Sequence, residues 1–242
     1  MKSKTVIVAM SLLGTAVLSA AATTVLTITV SEGDLIATRR FLVQGNAASN
    51  GWALSAPIAL VANGVQLGTI KNLDVQSDVD PYVNLHFAVE ADFADTTFDI
   101  NSSVVSFAPL LNPTACASAG IALTSDDGGA KITGLFDGGR TYQARYNGST
   151  VYANLVDGFS IAANQTAAVS DRSPASGYQT IFDTVSSIES EFNFTLSAME
   201  QASGTSRFEV DGPVPEPMTM AAVGMGIAGL GGYIRHRRMA AK

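Results

Sequence analysis

Tyr82-Val83-Asn84-Leu85-His86-Phe87-Ala88-Val89-Glu90 alternates without a break, with Val83, Leu85, Phe87 and Val89 on one face and Asn84, His86 and Glu90 on the other. Successive side chains of an extended chain point to opposite sides, so period two with β-branched and aromatic residues marks a half-buried strand. The same alternation recurs at residues 24–30, 36–43, 65–75, 96–100 and 104–107, and again at 192–198 and 205–210. No long stretch between them carries the 3.6-residue period of a helix, and no repeat of solenoid or propeller length is present. Many short strands separated by Gly and Asp turns predict an all-β fold. The expected form is a single antiparallel β-sandwich, with jelly-roll-like connections as one way to link its strands.

Turn residues set the expected joints. Asn147-Gly148 lies between residues 142–146 and 149–155, and both residue types tolerate the positive backbone angles of a type I′ turn. A two-residue turn there sets Ala144 across from Val151 and Tyr142 across from Ala153. Ser203-Gly204 reads as a second joint, between residues 192–199 and 205–210. Asp126-Asp127-Gly128-Gly129 and Asp137-Gly138-Gly139 bracket a short run at 131–136. Residues 44–57 and 163–177 are small and polar and are expected to be the least ordered.

The two ends read as routing devices around this body. Lys2 and Lys4 precede an apolar run at 6–18, and small residues follow. Signal peptidase accepts small side chains at the third and first positions before its cut, and both Ala20-Ala21-Ala22 and Ser19-Ala20-Ala21 satisfy it. Residues 1–22 are therefore expected to be a signal peptide and 23–212 the exported domain. Residues 213–242 divide into a proline-rich linker (213–217), an uncharged run (218–234) and a basic tail (235–242). At about 1.5 Å per residue the run reaches roughly 25 Å, somewhat short of a hydrocarbon core of about 30 Å. Its flanks favour a transmembrane helix nonetheless, because Arg235, Arg237 and Arg238 abut it and cations held on the cytoplasmic side leave the body outside.

The whole chain has 242 residues and a formal net charge of −7. Setting aside Glu216 and the terminal cations Lys2, Lys4, Arg235, Arg237, Arg238 and Lys242 leaves 20 acidic and 8 basic residues in 23–212, a net −12. Such a surface repels phosphate backbones, so nucleic acid is not an expected partner. One cysteine, Cys116, excludes an intrachain disulfide, and burial as a small hydrophobe is its expected state.

Chemistry is sparse in the body. His86 is its single histidine, placed on the polar side of a strand, so a triad or a multi-histidine metal site is excluded. No enzyme activity is expected. The low alternative is a carboxylate-dependent glycosidase, for which Glu90 and Asp92 share a strand face. No cofactor is expected beyond calcium, whose candidate ligands are Asp74, Asp78 and Asp80 or Asp126 and Asp127, clustered hard oxygens on turns. Neither group has EF-hand spacing, and aspartates serve turns everywhere. Tyr142, Tyr146, Tyr152 and Trp52 could stack on sugars, but their pattern is explained more economically by core packing.

Pro215-Glu216-Pro217, the Gly-rich uncharged run and the arginines resemble the PEP-CTERM sorting signal of Gram-negative bacteria. The match covers residues 213–242. The resemblance implies recognition by an exosortase after export through signal peptidase, with a transient inner-membrane anchor and then release to the outer surface or extracellular matrix. It also implies association with exopolysaccharide production, and so a structural role in envelope or biofilm. A carbohydrate-binding or carbohydrate-active β-sandwich module is the alternative.

Overall fold

The computed structural model describes residues 23–44, 49–78, 80–102, 104–126 and 128–212. The expected signal peptide (1–22), the expected sorting segment (213–242) and Asp127 lie outside the described residues. No helix occurs among the described residues.

In chain order the strands are β1 (Thr23–Glu32), β2 (Leu35–Gln44), β3 (Ser49–Ala53), β4 (Ile58–Ala62), β5 (Val65–Asp78) and β6 (Tyr82–Ala91). They continue with β7 (Thr96–Asn101), β8 (Val105–Leu111), β9 (Thr114–Ser125), β10 (Ala130–Gly134), β11 (Arg140–Tyr146) and β12 (Thr150–Asp157). The last are β13 (Phe159–Ile161), β14 (Gln165–Ser173), β15 (Gln179–Thr180), β16 (Thr184–Leu196) and β17 (Gln201–Asp211). One sheet runs β12-β11-β16-β7-β1-β2, and β8 and β10 add to β16. The other runs β14-β9-β17-β6-β5-β3, with β15 on β9 and β4 on β5. The strand pairs in both sheets are antiparallel.

The two sheets face each other as a sandwich, and aromatic rings join them. Phe87 of β6 meets Phe192 of β16 edge-on at 4.9 Å and stacks on Phe194 at 5.8 Å. Phe194 in turn stacks on Phe98 at 5.8 Å, and Phe192 contacts Tyr142 at 4.9 Å. Such pairs add about 0.5–1.5 kcal/mol each beyond their buried area. At the β2–β3 end, Phe41 and Trp52 close the gap between sheets at 4.8 Å. The quoted alternation survives intact: Val83, Leu85, Phe87 and Val89 are all buried, while Asn84, His86 and Glu90 are half-buried on the outer face.

Four sequence expectations need correction. The 146/150 hairpin has Asn147 (φ 49°) and Gly148 (φ 79°) in the left-handed region as expected, yet its loop also takes Ser149. A bulge then absorbs Tyr152. Ala144 therefore opposes Ala153 rather than Val151, and Tyr142 opposes Leu155 rather than Ala153. Ser203-Gly204 is no turn but the interior of β17, and the chain instead reverses over residues 197–200, where Met199 has φ 60°. Gly204 is needed there because a Cβ would overlap the ring of Phe87. Within the two segments expected to be least ordered, β3 pairs with β5 and β14 pairs with β9 although the β14 side chains bury little, while residues 45–48 lie outside the described residues.

Candidate functional site

The residues singled out for chemistry disperse. Asp74 lies within β5 with His86 as its cross-strand partner, four residues from Asp78, which is about 13 Å of extended chain. Asp78 and Asp80 do come together at the β5–β6 turn, where Asp78 Oδ1 accepts the Asp80 N–H at 3.1 Å. Asp126 sits at the end of β9, and its carbonyl accepts the Asn164 N–H at 2.6 Å. Among the described residues no group of three or more His, Cys, Asp or Glu side chains is arranged to hold a metal ion. Glu90 pairs with Lys71, and Asp92 lies beyond the end of β6. Tyr142 is wholly buried, its hydroxyl 2.9 Å from Ser190 Oγ, and desolvation pushes its pKa up to about 12. Tyr152 donates to the Ala115 carbonyl at 2.7 Å and stacks on Phe208 at 5.2 Å. Tyr146 and Trp52 pack against the core.

Two constellations that the linear sequence does not display emerge on the outer faces of the sheets. On the first sheet, β7, β11 and β16 run side by side and place Asp99, Asn101, Arg145, Glu189 and Glu191 together. Arg145 Nη2 donates to Glu189 Oε1 at 2.8 Å and also contacts Glu191. Asn101 Nδ2 donates to both glutamates. Two carboxyls thus share one guanidinium. Burial, then the neighbouring Asp99 charge, pushes the Glu191 pKa up to about 7, and burial also raises that of Asp99. A glycosidase needs its two carboxyls about 5–9.5 Å apart to admit the sugar and water between them. Glu189 and Glu191 are instead both held by Arg145, so the cluster reads as a structural ion-pair network.

The second constellation is a trough on the outer face of the other sheet. Its floor is Ser118 and Gly120 of β9 with Thr205 of β17, and Asn84 and His86 of β6 lie along one side. Arg207 stands beside them with its guanidinium 4.6 Å from the centre of the Tyr82 ring and its Nε 2.6 Å from Glu209 Oε2. The opposite wall is β14 and the segment after it, which loops out between β14 and β15. Arg172 ties that loop down, donating to the Gly177 carbonyl at 2.9 Å and to Cys116 Sγ at 3.3 Å. Cys116 is buried as expected, but on the outer face of the sheet beneath this loop rather than between the sheets. Sequence reading missed Arg172 because it lies in a segment that looked like loop.

No family model matches the chain, and no curated protein sequence matches it. Among solved structures, one titled "Structure of infectious bursal disease virus Gx strain" is similar at a TM-score of 0.32 and 11% identity. The match covers 84% of this chain and 60% of that one. A likeness at that level bears on neither fold detail nor function.

Proposed function

We propose that this is an exported envelope or extracellular-matrix protein without enzymatic activity, delivered by an exosortase that reads Pro215-Glu216-Pro217. The observation that carries it is the sequence of the tail itself, in which a proline-rich linker, an uncharged run and arginines at 235, 237 and 238 follow one another in that order. In this reading residues 1–22 are removed by signal peptidase, and residues 218–234 anchor the precursor in the inner membrane. The body in 23–212 is then displayed or released outside. A structural role is consistent with the sandwich, whose outer-face carboxyls Glu189 and Glu191 are both engaged by Arg145.

Changing Pro215-Glu216-Pro217 to three alanines tests the proposal. Export should continue while C-terminal processing stops, read as retention of the full-length mass in the inner-membrane fraction. A triple-alanine protein that is trimmed and located like wild type would refute the sorting assignment.

A further inference from the structure

The trough between β6, β17, β9 and β14 is open, mixed in polarity and locally basic, and we infer that it binds a saccharide through a sugar carboxylate seated on Arg172. This goes beyond the sorting proposal and does not depend on it. The hollow measures about 680 Å³, within the range of about 300–1,000 Å³ usual for ligand sites. Gly120 keeps the floor low: a Cβ there would already touch Ser170 Cβ at 3.4 Å. A second hollow of about 260 Å³ continues past Ala122, Ala168 and Ser203 along the same strands, so the feature is elongated as a chain segment requires.

Charge selects the ligand. Lys71, Arg140, Arg145 and Arg207 each have a carboxylate partner within 4.0 Å. Arg172 is held instead by a backbone carbonyl and a thiol, and among the described residues no carboxylate forms an ion pair with it. The acids beside it are engaged elsewhere: Asp171 with Arg140 at 3.5 Å and with the Arg172 backbone N–H, Glu209 with Arg207. A guanidinium oriented by two bonds retains N–H donors for a planar carboxylate, the geometry it matches best. Ser118, Ser170, Thr205 and Asn84 add hydroxyls and an amide beside the apolar Ala119 and Ala175, a mixture that suits both the hydroxyls and the C–H faces of a sugar.

The net charge of −7 restricts the ligand further. A uniformly charged polymer would be repelled along its whole length. One carboxylate at Arg172 is screened from remote acids, because exposed charges fade beyond about 8–10 Å at ordinary ionic strength. The ligand class is therefore a mostly neutral saccharide bearing isolated uronate units.

Calorimetric titration of the purified full-length protein tests this with three probes: a neutral oligosaccharide bearing one glucuronate, the same compound with its carboxyl reduced to the alcohol, and inorganic sulfate. The glucuronate compound should bind, and reduction should weaken it by about tenfold or more, the worth of a charge-assisted bond. Arg172→Gln should produce a similar loss with only a small fall in melting midpoint, from the two loop bonds it gives up. Gly120→Val, which raises the floor, should abolish binding while the fold persists. Absence of binding, equal binding of the reduced compound, or full binding by Arg172→Gln or Gly120→Val would overturn the inference. Sulfate binding as tightly as the saccharide would show a simple anion site and overturn it equally. Neither substitution touches the sorting tail, so the two proposals fail separately.

Discussion

Arg145 and Glu189 are cross-strand partners on β11 and β16, and their side chains meet at 2.8 Å on the outer face of the sheet. Both glutamate side chains that Arg145 holds are only 10% exposed, and Arg145 itself is 24% exposed. Charges taken this far from water lose solvation that a single guanidinium repays for one carboxylate more easily than for two. Burial, and then the neighbouring Asp99 charge, accordingly raises the Glu191 pKa.

Stability should consequently fall as pH rises. The folded pKa of Glu191 is raised to about 7 from an ordinary value of 4.5, so the folded state binds more protons than the unfolded state between those values. The contribution is fully present below the ordinary value and is lost as pH passes through about 7. Asp99, also raised, acts in the same direction. Thermal melts should show a midpoint a few degrees higher at pH 5 than at pH 8, and Glu191→Gln should flatten that difference. A midpoint that climbs from pH 5 to 8 with the same slope in wild type and variant would contradict this.

Arg145→Met should destabilise the protein by roughly 2–3 kcal/mol at neutral pH, somewhat below the value for a fully buried pair because Arg145 keeps some contact with water. The loss should shrink near pH 5, where a protonated Glu191 no longer needs the cation. Denaturant melts at the two pH values measure it, and a loss independent of pH would show that Arg145 acts by packing alone.

Gly204→Ala should cost about 1–3 kcal/mol, the usual penalty for overfilling a packed core. The added methyl meets the ring of Phe87, which is wedged between Phe192 and Phe194 and has little room to rotate away. Pairing with Phe87→Leu should recover part of the loss. A double mutant whose losses simply add would exclude that contact as the cause.

Neutral replacements of Arg235, Arg237 and Arg238 should loosen membrane retention of the precursor and reduce sorting. Carrying each arginine through hydrocarbon costs about 2.5–3.5 kcal/mol on the insertion scale, so three form a substantial stop. Membrane fractionation of the triple variant is the measurement. Retention equal to wild type would show that the uncharged run anchors the chain unaided.

Much of the sandwich was legible locally. Val83 to Val89 had to form a strand with that face inward, because period two admits no other regular structure that buries all four apolar side chains. Asn147-Gly148 announced a reversal for an equally local reason, its tolerance of positive φ. Register was not legible: Ser149 and the bulge at Tyr152 shift the β11–β12 pairing, and packing of Tyr152 on Phe208 is a contact with the opposite sheet. Strand β14 was missed because Ser170, Asp171 and Arg172 bury little; the backbone of β9 makes them a strand.

By itself, then, the sequence determined the all-β class, the inward faces and the tail expected to route the chain, since each depends on residues within a few positions of one another. Tertiary structure alone decided which side chains meet. Asp99, Arg145 and Glu191 come from three strands, and Asn84, Ser118, Arg172 and Thr205 from four. Their neighbourhood follows from strand order and register, which are set by how the two sheets pack through Phe87, Phe192 and Phe194. Short-range pattern cannot encode that, because sheet pairing joins segments that are distant along the chain.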